Sequence, residues 1–299
     1  MVMRMHDAEV TVNDALVRRL LTAQMPHLAQ LPITVVAPWG TDNGIWRLGD
    51  DLVVRLPRVG WAEQQVTLEA TWLPQLGPAL PVAVPVPVAV GAPAYGYPFR
   101  WAVHRWIPGE GAAPDTIDDP ARFALDLADV VQRLQGVPVV GAPAARNRAR
   151  PLCDYDKPTR RAIEGASHLI DADAATAVWE HALAAPAHEG RAVWVHADLE
   201  GNCLVSAGRL CGLIDWGSAC VGDPAVDVQV VWSPMFTEAS RSAFLDTLGV
   251  DAATLARSRG AAINQVCAAL PYYLNTYPLI VERCKHKLAA LGVPFVATA

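Results

Sequence analysis

Two apolar runs that bracket a polar knot constrain this chain more than any other stretch. Val193-Trp-Val195 leads into His196-Ala-Asp-Leu-Glu-Gly-Asn202, and Cys203-Leu-Val205 leads out of it. After a turn at Gly208, a further apolar run ends on Asp215-Trp-Gly217. Short apolar runs bounded by turn residues read as strands. The block therefore predicts a short β-hairpin carrying the knot, inside a half of the chain that is otherwise helical in pattern. Asp198, Asn202 and Asp215 are hard-oxygen groups on short strands and loops. That combination suits Mg²⁺ and a phosphate-bearing substrate.

With 299 residues, 52% of them hydrophobic, the chain can build two lobes, each with its own core. A net charge of −6 without a basic patch argues against a nucleic-acid partner. It suits a cationic substrate, but ordinary solubility accounts for it better. The six cysteines include no C-x-x-C spacing and no accompanying His cluster, so buried free thiols in a reducing cytoplasm are expected rather than zinc. Residues 1–9 lack the apolar core of a secretory signal. The longest apolar run, Ala79 to Ala94, carries Pro81, Pro85, Pro87 and Pro93. It reads as extended chain, not as a membrane helix.

Taken in order, residues 11–25 read as a helix capped by Asn13 or Asp14, with a stripe of Leu16, Leu20, Leu21 and Met25. Ile33–Ala37, Ile45–Leu48 and Leu52–Pro57 form an antiparallel meander. Asn43-Gly44 is a hairpin signal within the turn Gly40-Thr-Asp-Asn-Gly44. Backbone amides of such a turn, at Gly40, Thr41 and Asn43, can cover a triphosphate, although on this stretch alone a plain hairpin is the better reading. A helix is expected from Trp61 to about Leu73. Residues 81–90 suit a Pro-broken edge strand, and Tyr97–Ile107 suits another strand that ends at a hinge, Pro108-Gly109. Residues 1–107 thus form a small antiparallel-sheet lobe. Residues 108–299 form a mainly helical lobe, with helices over 116–135, 158–170, 172–185, 238–248, 251–259 and 262–290, the last broken at Pro271 or Pro278. The fold class is α+β.

Arg55 lies mid-strand among Leu52, Val54 and Leu56, where a cation wants a carboxylate or a phosphate. Glu69 on the following helix can supply the carboxylate, unless both charges are simply solvated. Phosphoryl transfer asks a protein for one carboxylate to orient the attacking hydroxyl, two oxygen ligands for Mg²⁺, and a cation on the phosphates. Asp198, the pair Asn202 and Asp215, and Arg55 held by Glu69 suit those tasks in that order.

Several local motifs resemble the aminoglycoside phosphotransferase family, whose fold is protein-kinase-like and two-lobed. His196–Val205 resembles its H-G-D-L-x-x-x-N-L-L-V loop, Ile214–Gly217 its I-D-[FW]-G metal motif, and Val221–Asp227 its G-D-P-x-x-D-[LV] segment. Leu52–Arg58 resembles its phosphate-gripping strand. The resemblance spans roughly residues 33 to 290. It implies that Asp198 is the catalytic base, that Asn202 and Asp215 are Mg²⁺ ligands, and that Arg55 contacts phosphates and pairs with Glu69. The backbone of Arg105, Trp106 and Ile107 would meet the purine edge, Asp227 would brace the catalytic loop, and His196 would anchor it or simply be a satisfied buried histidine. The implied reaction moves the γ-phosphate of ATP or GTP to a hydroxyl of a small molecule. Antibiotics lead as acceptors (aminoglycoside, macrolide or another glycosylated type), in a cytoplasmic monomer or weak dimer without nucleic-acid or membrane partners. A small-metabolite kinase and a non-catalytic nucleotide-binding pseudokinase are the alternatives.

Two departures from the family pattern stand out. Only three residues separate Asp198 from Asn202, one fewer than in the family loop, so the chain must tighten near Gly201. Asn202 then reaches the metal, or Glu200 or a water substitutes. The strand cation is Arg55 rather than the Lys of many members, and the two are not interchangeable. For the acceptor, Glu200, Trp232, Tyr272 and Asn275 are weaker candidates. Trp39, Trp101, Trp106, Trp194, Trp216 and Trp232 flank the site segments, where core packing is a better reading than sugar stacking.

Overall fold

The computed structural model describes residues 9–37 and 40–296; Trp39 and the first eight residues lie outside them. The chain divides into two compact units, one of residues 1–109 with 212–217, the other of residues 110–211 with 218–299.

Unit 1 is built on an antiparallel five-stranded sheet in the order β1-β2-β3-β5-β4. Its elements are α1 (Asp14–Gln24), β1 (Ile33–Val35), β2 (Asn43–Leu48), β3 (Leu52–Pro57), α2 (Glu63–Leu76), β4 (Pro87–Gly91) and β5 (Trp101–Arg105). The Asn13 side chain caps α1 by accepting the Leu16 N–H at 2.9 Å. Side chains alternate across a strand. Val54 and Leu56 of β3 therefore join Leu20 and Leu21 of α1, with Trp46, in one buried cluster. Arg55 is turned to the opposite face, where α2 presents Glu69 among Val66 and Leu73.

Asn43 and Gly44 are not a hairpin turn. They begin β2, paired with Pro57 and Leu56. Packing overrides the turn signal here, because a Cβ on Gly44 would sit 2.7 Å from the Trp46 ring and 2.9 Å from Val12. Only the second half of the Pro-rich run, β4, enters the sheet, at its edge, where missing N–H donors are tolerated.

Unit 2 is mainly helical. It contains β6 (Glu110–Gly111), α3 (Pro120–Gly136), α4 (Asp156–Ala166), α5 (Ala172–Ala184), β7 (Val193–Val195), β8 (Cys203–Ser206), β9 (Arg209–Leu213, whose last two residues belong to unit 1), β10 (Cys220–Gly222), α6 (Ala225–Val228), α7 (Glu238–Leu248), α8 (Ala252–Tyr273) and α9 (Pro278–Leu291). The polar knot is not carried by a hairpin. It links β7, which pairs with β10, to β8, which lies in a separate sheet ordered β6-β8-β9. Two of the expected helices fuse: α8 runs unbroken through Gly260 and Pro271. Gly260 is kept in this helix by contact, since a Cβ there would meet Ala182 at 2.6 Å and Leu152 at 2.8 Å. The break falls before Pro278, which opens α9 at a first-turn position that needs no N–H.

Among the described residues no helix is long and apolar enough to cross a membrane. None of the six cysteines, all of them described, is in a disulfide. Four are buried, but Cys153 is exposed and Cys211 partly so, which narrows the expectation of buried thiols.

The edge strand gives a direct stability test. A Cβ on Gly91 would lie 2.1 Å from the buried Trp101 indole. Gly91→Ala is expected to cost about 1–3 kcal/mol in urea unfolding. Gly136→Ala, at an open position, should be neutral or gain up to about 1 kcal/mol.

Candidate active site

In unit 1 the site is a charge cluster. Arg55 donates from Nη1 to Glu69 Oε1 at 2.7 Å and from Nη2 to Asp215 Oδ1 at 2.6 Å. Gln65 Oε1 accepts a longer bond at 3.3 Å. With the Asn43 amide turned so that its oxygen faces the guanidinium, it accepts from Nε at 3.2 Å and Nη2 at 3.1 Å. Glu69 Oε1 also accepts the Trp216 N–H at 3.1 Å, and Oε2 lies 3.3 Å from His104 Nε2. Residues 43, 55, 65, 69, 104 and 215 thus converge from β2, β3, α2, β5 and the segment 212–217.

The protonation states follow from this packing. Burial alone would weaken the charge on Arg55, but Asp215 and Glu69 outweigh it, and its pKa is raised. Burial pushes the Glu69 carboxyl up; Arg55 and His104 more than reverse this and hold it at about 2. Both groups stay ionised at neutral pH. Asp215 adopts φ 59°, a left-handed conformation that costs a non-glycine residue about 1 kcal/mol or more. Its side chain is 43% exposed, against 11% for Arg55.

The other expected residues of unit 1 are placed less suggestively. Gly40 is exposed with open space around it, and Thr41 is half-buried. The Trp106 N–H is committed to the Asp51 carbonyl at 2.8 Å, and the Arg105 N–H to Val86 at 3.3 Å. Ile107 is buried and packs on Gly212.

In unit 2 the knot is built around Asp227. This carboxylate, 1% exposed, accepts the His196 N–H at 2.9 Å and the Ala197 N–H at 2.7 Å. Burial is the dominant influence on it and lifts its pKa to about 7, against the two backbone bonds. His196 is fully buried, and its Nδ1 accepts the Asp198 N–H at 3.3 Å. Ala197 has φ 65°, a second strained position beside a carboxylate. The short loop closes through Gly201 at φ 82° and a bond from the Asn202 N–H to the Leu199 carbonyl at 3.2 Å. Asn202 Nδ2 donates to the Asp198 carbonyl at 2.7 Å, which leaves its Oδ1 outside that bond.

Arg148 belongs to no motif in the sequence, yet it sits at the knot. Its Nη1 lies 2.5 Å from Asp198 Oδ1 and donates to the Ala197 carbonyl at 2.6 Å. The stretch that reads as an Ala/Pro/Arg loop is pinned along β10, with bonds from Val221 to Pro143 and from Ala145 to Val221. Gly222 permits this, since a Cβ there would meet the Ala149 carbonyl at 2.3 Å. Arg257 likewise belongs to no motif; it grips the buried Asp223 at 2.7 Å and 3.3 Å, fixing the turn before α6. Only the density of arginines at 146, 148 and 150 could have flagged the first, and nothing local the second.

Of the weaker candidates, Glu200 pairs with the buried Lys287 at 2.5 Å. Trp232 is a core residue, bonded to Ser258 at 3.2 Å, with Arg241 and Arg259 over its ring. Tyr272 and Asn275 are exposed near the end of α8. Trp101, Trp194 and Trp216 are fully buried, which is core packing.

Among the described residues no group of three or more His, Cys, Asp or Glu gathers to hold a metal. Mg²⁺ often takes only one or two carboxylates from protein and the rest from phosphates and water. Asp215 in unit 1 and Asn202 in unit 2 each keep a side-chain oxygen outside the bonds above, and each is a hard donor of that kind.

The profile of the "Phosphotransferase enzyme family" matches residues 34–262. The chain belongs to this family. It is accordingly a phosphotransferase. Solved structures share the kinase-like fold. The GDP and kanamycin complex of APH(2″)-IIIa is 20% identical, with TM-score 0.74, over 93% of this chain and 99% of that one. The macrolide 2′-phosphotransferase MphH from Brachybacterium faecium is 24% identical, with TM-score 0.61, over 94% and 97%. A type I macrolide 2′-phosphotransferase is 21% identical, with TM-score 0.63, over 97% and 99%. No curated protein matches the sequence.

Asp227 offers a pH test. Its folded pKa of about 7 lies above its ordinary 3.8. The neutral form therefore favours folding, fully below about pH 4, and that contribution is lost as pH rises through about 7. Asp227→Asn keeps one acceptor but turns an amide N–H toward the other backbone N–H. It is expected to destabilise by about 2–4 kcal/mol, with the gap to wild type shrinking between about pH 5 and pH 8 in urea unfolding.

Proposed function

We propose that this phosphotransferase is an O-phosphotransferase that moves the γ-phosphate of ATP or GTP to a hydroxyl of a small-molecule antibiotic. The observation that carries the reading is the convergence of Arg55, Glu69 and Asp215, remote in sequence, into one charge cluster. An antibiotic acceptor is supported by proteins of this fold: one is seen with GDP and kanamycin, another with ATP and streptomycin, and others are macrolide 2′-phosphotransferases.

In this reading unit 1 handles the nucleotide and unit 2 the acceptor. Asp198 accepts the proton of the acceptor hydroxyl. The freed oxygen attacks the γ-phosphorus, the bond to the β–γ bridging oxygen breaks, and the nucleoside diphosphate leaves with that electron pair. Arg148, paired with Asp198 Oδ1, orients the carboxylate. Asp227 and His196 hold the loop at its strained Ala197. Arg55 offers a planar, pre-aligned cation to the phosphates, with Glu69 preventing its rotation. Asn202 and Asp215 would hold Mg²⁺, which when bound neutralises charge on the phosphate oxygens. The Gly40–Asn43 stretch covers the phosphates, and the backbone of Arg105 to Ile107 lies by the base. Cytoplasmic residence, where nucleoside triphosphates are made, goes with this reading.

Asp198→Asn should lower phosphoryl transfer by about 10²–10⁴-fold while nucleotide affinity changes little. Retained turnover would remove Asp198 as the base. Arg55→Lys keeps the charge but loses the fork; nucleotide KM is expected to rise about tenfold with a smaller change in kcat. An unchanged KM would remove Arg55 from phosphate binding.

A further inference from the structure

Unit 2 contains a cavity of about 480 Å³ that reaches the catalytic loop through Glu200 and Gly201. This volume lies within the range of small-molecule sites. Gly201 matters to its shape: a Cβ there would fall 2.3 Å from Arg283 Nη1, so glycine lets the guanidinium close on the loop.

The charges of this cavity are unusual for a site that would take a polycation. Its two carboxylates are both already paired, Glu200 with Lys287 at 2.5 Å and Glu282 with Lys285 at 2.8 Å. Arg283 makes no ion pair among the described residues. Burial and nearby Arg241 lower the pKa of His286, against the pull of Glu200. The remaining charge in the wall is therefore positive. Met235, Pro234, Leu279, Ala112 and Ala113 supply the rest of the lining. Several ammonium groups brought here would be desolvated without partners, which is strongly unfavourable. One polar feature does ask for a ligand. Glu200 Oε1 is buried with no hydrogen-bond partner, so it can take a single O–H or N–H donor.

We propose that the acceptor is a largely apolar hydroxylated molecule carrying at most one amine, of macrolide type, and not a polycationic aminoglycoside. The inference rests on the phosphotransferase reading above and sharpens its substrate class.

Titration calorimetry on the full chain with a macrolide and with kanamycin, at low and high salt, tests this. The macrolide is expected to bind at least about tenfold more tightly, with little salt dependence. Arg283→Glu places an unpaired carboxylate in the cavity and should improve kanamycin relative to the macrolide by about tenfold. If that variant does not fold, Arg283→Gln should shift the ratio the same way by less. Kanamycin binding as tightly as the macrolide, no binding of the macrolide, or a ratio indifferent to the Arg283 variants would overturn the proposal. Phosphate transfer, followed in parallel, separates the two readings. Transfer preferentially to kanamycin overturns only the acceptor class. A macrolide that binds but is never phosphorylated with ATP or GTP supports the cavity chemistry and overturns the O-phosphotransferase reading.

Discussion

Arg55 is held between two carboxylates, and most of what distinguishes unit 1 depends on that. A buried guanidinium with one partner missing would be costly to keep. Glu69 alone does not satisfy it, because only one of its oxygens faces the fork, the other facing His104. Asp215 completes the set, and reaching Arg55 draws the segment 212–217 into unit 1. Trp216 then seals the arrangement through its N–H to Glu69. The same contacts that stabilise the cluster fix the direction of the guanidinium, as the proposed phosphate contact requires.

Unit 2 solves a matching problem around Asp198. There the strained residue is Ala197, one position before the proposed base, as Asp215 is strained in the other unit. Non-glycine residues in the left-handed region persist only where neighbours over-determine them. Asp227 supplies two backbone bonds and Arg148 a third. A carboxylate with a pKa near 7 sits at the base of this support, so the stability of the loop is tied to physiological pH.

The amino-acid sequence displayed the chemistry better than its setting. Asp198, Asn202, Asp215, Arg55 and Glu69 stand out because charged and amide groups interrupt apolar runs, and strand periodicity puts Arg55 on the face of Glu69. Asn43-Gly44 misled because a turn dipeptide can also be a packing requirement, here imposed by Trp46. The expected gap between residues 259 and 262 does not form, and the glycine that falls there, Gly260, is a packing requirement against Ala182. Arg148 and Arg257 were illegible because their partners lie 50 and 34 positions away, and no local period records such a distance. The cavity of unit 2 was hidden for the same reason. Its wall joins the segment after β6, the loop at Glu200 and Gly201, the approach to α7, and α9, and its electrostatics appear only once Lys287 and Lys285 are seen against Glu200 and Glu282.

The central claim is that this chain transfers a phosphoryl group to a hydroxyl and does not merely bind or hydrolyse nucleotide. Phosphorus NMR of the wild-type chain with Mg²⁺, a nucleoside triphosphate and a macrolide reads this directly. The γ-phosphorus signal is expected to be replaced by a phosphomonoester signal on the acceptor, matched by the nucleoside diphosphate formed. Conversion to inorganic phosphate alone, or an unchanged triphosphate across ATP, GTP and a panel of hydroxylated acceptors, would contradict it.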